Sequence, residues 1–196
     1  MNCLVVRAHP LDKSLCAEMT RVVTEMLQAA GHSVIIEDLY EQGFGAAMTP
    51  QERESYYAES YDTQGVSGQI ERLKAAEAIV LVFPTWWFGF PAILKGWFDR
   101  VWAPGTAYDH APGFGPIQPR LHELRRMLVI TSLGAPWWVD YFILRQPVKR
   151  VLKTAIVGTC APRCRLQMLS VYKCEDLSPS QVDKFCSRIQ RALAEW

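Results

Sequence analysis

Short apolar runs that alternate with segments of helical periodicity constrain the fold of this chain more than any other feature. The runs lie at residues 3–6, 34–37, 78–83, 127–131 and 165–171, and the run at 78–83 is wholly apolar. Parallel strands cannot be joined by tight turns and need crossover connections, usually helices. The alternation therefore predicts an α/β fold: a doubly wound, five-stranded parallel sheet with helices on both faces, in three layers.

Helices are predicted at residues 15–30, 70–76, 91–103, 141–154 and 179–193. Gly31 ends the first helix in the expected position after the last turn. Pro91 lies in the first turn of the third helix, where a missing N–H costs nothing. The fourth helix is broken or started at Pro147, and the capping box from Ser178 to Gln181 opens the last one.

Residues 41–68 show no sustained period and are rich in Gly, Glu, Ser and Tyr. We interpret them as a long excursion from the sheet that contains one short helix. Compact domains rarely carry loops of this length unless the loops serve a site or an interface.

Length and charge narrow the class of protein. A chain of 196 residues is expected to form one domain, residues 1–196, and a net charge of +1 without a basic run argues against a nucleic-acid or anionic-membrane partner. No apolar stretch approaches a membrane span or a signal segment. The six scattered cysteines and four distant histidines predict no metal site, and we expect reduced thiols in a cytoplasmic protein.

Ligands of doubly wound sheets bind beyond the carboxyl ends of the strands. The first loop at that edge ends at Ser14, and the N-terminus of the following helix is suited to a phosphate group. His9, Ser14 and the backbone amides of Leu15 and Cys16 are the candidate donors. Alternatively, Ser14 is only a helix N-cap and His9 an ordinary loop residue.

The second loop leaves the central strand and is unusually aromatic. It contains Pro84, Thr85, Trp86, Trp87 and Phe88. Such rings are suited to stacking a flat heteroaromatic ligand, whose edge the neighbouring backbone N–H groups can bind. The alternative is that these aromatics belong to the core or to a dimer interface.

The third loop contains Thr131, Ser132 and Gly134, followed by the pair Trp137 and Trp138. Alone, this loop is weak evidence for a ligand site. The three loops together are stronger evidence than any one of them. No hydrolase elbow, zinc motif or convincing acidic pair competes with them. A site without an obvious nucleophile is understandable if a cofactor supplies the chemistry.

The motif FPTWWFGFPAILKGWFDRV, from Phe83 to Val101, closely resembles the flavodoxin-like NAD(P)H:quinone oxidoreductases. Ala8-His9-Pro10 with Ser14, and Asp38-Leu39-Tyr40, add to the resemblance, which covers essentially the whole chain. It implies a flavodoxin-like strand order and a homodimer with tightly bound FMN or FAD. It also implies NADH or NADPH as co-substrate and a quinone-like acceptor that takes a hydride in the same pocket, in a ping-pong reaction.

The resemblance also assigns residues to this site. The flavin phosphate would be held by His9, Ser14, Leu15 and Cys16. The flavin ring would be lined by Pro84, Thr85, Trp86, Trp87, Phe88, Thr131, Ser132 and Gly134. Tyr108 and His110 would border the acceptor pocket and polarise the acceptor oxygen as the catalytic candidates.

Departures from the family pattern bear on the cofactor. Leu133 stands where a glycine backbone would approach the ring, and Cys16 replaces a common Asn. Asp183 occupies the place of an Arg near the adenine in FAD-binding members, which weakens the case for FAD. His110 replaces a frequent Tyr.

Two rival functions remain at this point: a flavin-binding regulatory subunit of a potassium-efflux system, and a one-electron flavodoxin carrier. Flavodoxins are typically strongly acidic, which disfavours the carrier. The aromatic residues near one sheet end exceed what one domain can bury, and they predict a two-fold dimer. They are Trp86, Trp87, Phe88, Phe90, Trp97, Trp102, Tyr108, Trp137 and Trp138.

Overall fold

A five-stranded parallel sheet lies at the centre of the fold. The computed structural model describes residues 1–111, 113 and 115–196. Its strands are β1 Asn2–Arg7, β2 Ser33–Asp38, β3 Ala78–Pro84, β4 Tyr108–Asp109, β5 Gln118–Pro119, β6 Arg126–Leu133 and β7 Arg165–Tyr172. Strands β4 and β5 form a small antiparallel pair. The other five follow the order β2-β1-β3-β6-β7 with every neighbour parallel, which confirms the predicted doubly wound sheet.

Helices cover both faces of this sheet. The α-helices are α1 Leu15–Ala29, α2 Pro50–Ser55, α3 Ser67–Ala75, α4 Ala92–Val101, α5 Pro147–Arg150, α6 Val157–Cys160 and α7 Pro179–Leu193. The buried residues of α1 and α7 join one apolar core, and those of α3 to α6 join the other. The predicted three layers are therefore present.

The position of β3 in the sheet explains why its sequence is apolar throughout. All seven of its residues are buried, because it is the central strand and has helices on both sides. Val80 and Val82 pack towards α1 and α7, whereas Ile79, Leu81 and Phe83 pack towards α4 and its neighbours.

The fourth predicted helix is divided in two. A π-helical turn spans Val139–Ile143, and then Arg145 and Gln146 adopt left-handed φ angles of 55° and 50°. A left-handed residue cannot continue a right-handed helix. The chain becomes helical again at Pro147 and continues through α5, a π-helical stretch at Val151–Ile156 and α6.

Three smaller differences from the sequence prediction occur elsewhere. Helix α4 begins at Ala92, so that Pro91 is its N-cap residue rather than part of its first turn. Helix α3 begins earlier than predicted, at Ser67. The excursion contains the predicted short helix, α2, which a capping box between Thr49 and Glu52 opens, and the β4–β5 pair was not predicted.

The register of the sheet brings the ends of several strands to one edge. Arg7 lies beside Val82, and Pro84 lies beside Ser132. The loops that follow β1, β3 and β6 therefore leave the sheet side by side. Among the described residues, no helix is long and apolar enough to cross a membrane.

Candidate active site

The three loops predicted to carry the site meet at the carboxyl edge of the sheet. The backbone N–H of Thr85 donates to the carbonyl of Ser132 at 2.8 Å, and the hydroxyls of Thr85 and Thr131 are 2.6 Å apart. Ala8, which opens the first loop, donates its N–H to the carbonyl of Val82 at 3.0 Å. The second loop is thus bonded to the end of β6, and the first to the end of β3.

The first loop presents the open end of a 15-residue helix. Ser14 is its N-cap, and the hydroxyl oxygen accepts the N–H of Ala17 at 3.2 Å. The N–H groups of Leu15 and Cys16 have no hydrogen-bond partner in the part of the chain that the structure describes. Unpaired N–H groups at the positive end of a helix favour an anion.

His9 faces back onto the same loop. Its Nδ1 lies 3.1 Å from the backbone nitrogen of Leu11 and 3.3 Å from the carbonyl oxygen of Leu11, so this ring nitrogen is engaged within the loop in either tautomer. Arg7 pairs with Asp38 and, at 3.3 Å, with Asp12. Asp38 also accepts the N–H of Tyr40 at 3.0 Å, so this motif fixes the ends of β1 and β2 beside the loop.

The aromatic loop is a tight turn that points two rings outward. The N–H of Gly89 donates to the carbonyl of Trp86 at 2.9 Å, and Trp87 and Phe88 have φ angles of 50° and 57°. Non-glycine residues in this region cost on the order of 1–2 kcal/mol each. The side chain of Trp87 is 100% exposed. Trp87 therefore does not belong to the core. The two roles that remain for its ring are contact with a ligand and contact with a partner subunit.

The third loop closes a small cavity with the second. The cavity has a volume of about 200 Å³ and is lined by Thr85, Trp87, Phe88, Leu133, Gly134 and Ala135. Leu133 is buried and forms part of the wall. A Cβ on Gly134 would lie 2.9 Å from a carboxylate oxygen of Glu175, a flexible side chain in the turn that follows β7, so the two loops lie close together here.

Cys16 is a buried and unreactive thiol beneath this site. Burial, and secondarily the neighbouring Cys174, raise the pKa of Cys16 to about 12. A thiol with that pKa is protonated at neutral pH and is a poor nucleophile. The side chain of Cys16 is part of the apolar core formed by α1, α7 and the sheet. All six cysteines are free.

Within one chain, Tyr108 and His110 lie away from the three loops at the carboxyl edge. Helix α4 returns from the carboxyl edge to the amino edge of the sheet, and the segment after it stays there. Thr106 lines a cavity with Lys74 and Leu124, which precede β3 and β6. The prediction that Tyr108 and His110 border the pocket can therefore hold only across a subunit boundary, because the sheet separates them from the flavin loops.

Tyr108 is also buried by its neighbours. Its side chain is 9% exposed, and its hydroxyl is hydrogen-bonded to that of Tyr56. Burial, and secondarily the bond to Tyr56, raise the pKa of Tyr108. Tyr56 and Tyr57 were not singled out from the sequence. The feature of the sequence that could have identified them is the adjacent pair of tyrosines within the excursion.

The donors at this edge fit a flavin nucleotide. The open N-terminus of α1 suits a phosphate, and the threonines and turned-out aromatics suit a flat ring. A cavity of about 200 Å³ is smaller than the roughly 300–1,000 Å³ of typical ligand pockets. A ring seated there would be enclosed on one face and open on the other. Within the described residues, no cluster of His, Cys, Asp or Glu could hold a metal ion.

Comparison with known proteins decides the family. A family described by its flavodoxin-like fold matches residues 1–196. The chain belongs to the flavodoxin-like NAD(P)H:quinone oxidoreductase family. Among its relatives, NAD(P)H dehydrogenase [quinone] 1 of Rattus norvegicus is 29% identical over 209 residues, covering 88% of this chain and 75% of the rat protein.

Two solved structures extend this comparison. An NAD(P)H:quinone oxidoreductase from Methanothermobacter marburgensis is 26% identical with a TM-score of 0.83, over 98% of this chain and 94% of that one. An FMN-dependent NADH-azoreductase from Bacillus anthracis, crystallised with FMN, is 18% identical with a TM-score of 0.76, over 100% and 99%. The similarity to the azoreductase, at 18% identity, shows a shared fold alone.

The alignments with several curated relatives are partial. They cover 53–78% of this chain and 54–65% of the length of fungal, mammalian and bacterial relatives. The names of these family members support an oxidoreductase of the NAD(P)H dehydrogenase (quinone) type.

Proposed function

We propose that this chain is a flavin-dependent NAD(P)H oxidoreductase that reduces quinones or similar small acceptors by two-electron hydride transfer. One observation carries the proposal: an open helix N-terminus and a turned-out aromatic loop meet at one edge of the sheet. The family membership and the FMN of the Bacillus anthracis azoreductase support the choice of flavin.

The residues of the first loop would hold the phosphate. The N–H groups of Leu15 and Cys16, the hydroxyl of Ser14 and, in the tautomer that carries the proton there, the Nε2 of His9 would donate towards it. Four donors at a helix N-terminus need no arginine or lysine to bind an anion. We propose FMN rather than FAD, because Asp183 stands where FAD-binding members of the family carry an Arg near the adenine.

The other two loops would orient the ring. The hydrogen bonds of Thr85 to Ser132 and Thr131 hold the two loops in a fixed relation. Pro84, Trp86, Trp87 and Phe88 of the second loop and Gly134 of the third would line the ring. When bound, a flavin accepts hydride from NADH or NADPH and passes it to the acceptor. The protein supplies positioning and an apolar surface that excludes water.

We propose further that the working form is a homodimer. Trp86, Trp87, Trp137 and Trp138 are exposed at the carboxyl edge, and Phe142 is 69% exposed beside them. A contiguous apolar surface of this kind usually marks an interface. A two-fold axis uses the same surface of both chains. By the family resemblance, such a dimer would also bring the Tyr108 and His110 end of one chain to the three loops of the other.

Initial-rate kinetics test this function. With one shared pocket, NADH and a quinone such as menadione must bind in turn, so double-reciprocal plots at several menadione concentrations should be parallel. Intersecting lines would contradict the shared pocket. No turnover of NADH or NADPH with quinone, azo or nitro acceptors would contradict the activity itself. No observation favours the alternative of a potassium-efflux regulatory subunit.

A further inference from the structure

Two arginines that are far apart in the sequence lie side by side where β6 and β7 begin. Arg126 and Arg165 are the first residues of these strands and are paired in their register. Leu128 and Leu169 pack towards α7, so the alternation of side chains along a strand places both arginines on the α7 face. Adjacent strands lie about 4.8 Å apart. Two positive side chains are therefore neighbours at the amino edge of the sheet.

Two more arginines come from α7. Arg188 and Arg191 are exposed and lie beside β7, where they line a groove between the strand and the helix. The groove has a volume of about 300 Å³ and is lined by Gln167, Leu169, Arg188, Arg191, Ala192 and Glu195. Gln167 follows Arg165 on the same face of β7, about 6.6 Å along the strand. We call Arg126, Arg165, Arg188 and Arg191 the arginine corner.

The arginine corner carries positive charge that the described part of the chain does not neutralise. None of its four guanidiniums lies within 4.0 Å of a carboxylate there. Glu195 lines the same groove but is beyond that distance from each of them. Like charges side by side on neighbouring strands are destabilising, whereas a guanidinium binds a carboxylate through two parallel N–H···O bonds. An acidic partner would therefore relieve repulsion and form new bonds.

Strand β7 also has a free edge beside this corner. It is the last strand in the order β2-β1-β3-β6-β7, and the N–H of Arg165 donates to the carbonyl of Arg125 at 2.9 Å. Alternate residues of a parallel strand bond to the same neighbour, so Leu166 and Met168 direct their N–H and C=O groups away from β6. Among the described residues, no other backbone segment bonds to these groups. Unpaired groups of this kind are a template for an additional strand.

The charge of the corner decides which partner this edge can accept. A second copy of the chain, paired through β7, would bring two positively charged surfaces together. Charged side chains at a sheet edge are a common device against such self-association. A segment rich in carboxylates has the opposite charge, and its backbone can pair with the same free edge.

We infer that the outer edge of β7 and the arginine corner form a docking site for an extended acidic segment of another protein, which adds to the sheet as a sixth strand. Its side chains on the α7 face would lie beside Arg165 and Gln167, so acidic residues are expected there. Those on the other face would lie beside the half-buried Leu166 and Met168, so apolar residues are expected in alternation.

This docking site is separate from the candidate active site. The corner lies at the amino edge of the sheet, whereas the three loops lie at the carboxyl edge. A docked segment leaves the three loops accessible, and the inference does not depend on the proposed function.

Fluorescence anisotropy with labelled peptides tests the docking. The probe is a short peptide in which Glu and Val alternate, and the matched peptide has the same composition with its glutamates grouped together. We expect the grouped peptide to bind at least about tenfold more weakly, because it cannot place all its carboxylates on one face of a strand. Equal affinities would overturn the added strand. No binding of the alternating peptide would overturn the docking site itself.

Arg188→Gln combined with Arg191→Gln tests the arginine corner. This double variant should bind the alternating peptide roughly tenfold more weakly than the wild type. The matched control is Arg150→Gln with Lys153→Gln, which removes the same charge from helical segments on the other face of the sheet. Both double variants should keep the wild-type melting temperature, because they change exposed side chains. Equal losses of affinity would mean that net charge alone attracts the peptide, which would overturn the site.

Amide hydrogen exchange locates the bound peptide. The N–H groups of Leu166 and Met168 should exchange more slowly in the complex, because they become hydrogen-bonded. Unchanged exchange at both residues in a saturated complex would overturn the added strand. Phosphatidylglycerol vesicles that bind the wild type but not the Arg188 and Arg191 double variant, with no binding of the peptide, would assign the corner to a membrane surface and overturn the inference.

An activity measurement separates this inference from the proposed function. NADH oxidation by the FMN-loaded protein, with menadione as acceptor, should proceed at the same rate in the wild type and in the Arg188 and Arg191 double variant. Peptide binding in a protein without this activity would retain the docking site and overturn the proposed function. Activity without peptide binding would do the reverse.

Discussion

At the scale of single residues, the sequence left Ser14 either as a helix N-cap or as a phosphate ligand, and the structure shows the cap. It caps α1 through its hydroxyl oxygen, and the cap fixes the N–H groups beside it in the direction a phosphate needs. The phosphate role remains a prediction. The sequence could identify the residue from its place before an apolar helical stripe, but it could not show which N–H groups stay unpaired.

Ser14→Ala separates the two roles when it is compared with Ser178→Ala. Ser178 caps α7, which has the same length as α1 and begins far from the three loops in sequence. Each variant should lose about 1 kcal/mol of unfolding free energy with its cap. Only Ser14→Ala should also weaken FMN binding, because only Ser14 donates to the phosphate. Equal FMN affinity in both variants, measured by fluorescence titration, would remove Ser14 from the site.

Cys16 provides a pH-dependent test. Its pKa is raised from 9.0 to about 12 in the folded chain, so the unfolded chain loses the proton first as the pH rises. The contribution of this thiol to the free energy of unfolding is fully present below pH ~9. Above that pH it declines by about 1.4 kcal/mol per pH unit.

Urea unfolding of the FMN-free protein measures this decline. Cys16→Ala should be less stable at every pH, because it leaves a cavity. Its stability should nevertheless fall less steeply with pH between about 9 and 11 than that of the wild type. Identical slopes would mean that Cys16 is not a buried, protonated thiol.

At the scale of elements, the sequence predicted the strands and helices that have a periodic apolar pattern. It missed features that are set by contacts with residues distant in the sequence. The apolar run of β3 and the capped stripe of α1 are local signals, and both elements lie where they were predicted. The break before Pro147 was predicted from that proline, whereas the left-handed conformation of Arg145 and Gln146 has no glycine to mark it. The position of α2 depends on Arg100, 48 residues away from Glu52. Local patterns carry no information about such a partner.

The buried pair of Glu52 and Arg100 should therefore be a strong element-level contact. Arg100→Met leaves the Glu52 carboxylate buried without a partner, which costs about 3–5 kcal/mol. Lys95→Met is the matched control on the same helix, because Lys95 pairs with Asp99 in solvent and exposed pairs contribute about 0–1 kcal/mol. Similar losses in the two variants, measured by denaturant unfolding, would show that the excursion is not anchored by this pair.

At the scale of the whole molecule, the aromatic surface is smaller than the sequence suggested. Trp97 and Trp102 are buried in the core beside α4, and Tyr108 is covered by Tyr56. The exposed surface instead extends into the π-helical turn through Phe142 and Ile143. Periodicity placed the strands correctly, but it could not distinguish an aromatic that faces its own core from one that faces a partner.

The dimer prediction follows from that surface. Phe142→Glu places a charge in the apolar patch and should convert the dimer to a monomer. Quinone reduction should be lost, because the Tyr108 and His110 end of one chain separates from the three loops of the other. Ile36→Glu, on the outer strand β2, is the control and should stay dimeric. Sedimentation equilibrium gives the mass. An active wild-type monomer at assay concentration would contradict the two-subunit site.

The central claim is that the three loops hold a flavin that passes hydride from NAD(P)H to a quinone. The most direct measurement is the visible spectrum of the purified protein after incubation with FMN and removal of the excess, under anaerobic conditions. We expect a yellow protein whose visible band disappears on addition of NADH or NADPH and returns on addition of menadione. A protein that stays colourless after incubation with FMN and with FAD, or whose bound flavin neither nicotinamide reduces, would contradict the account.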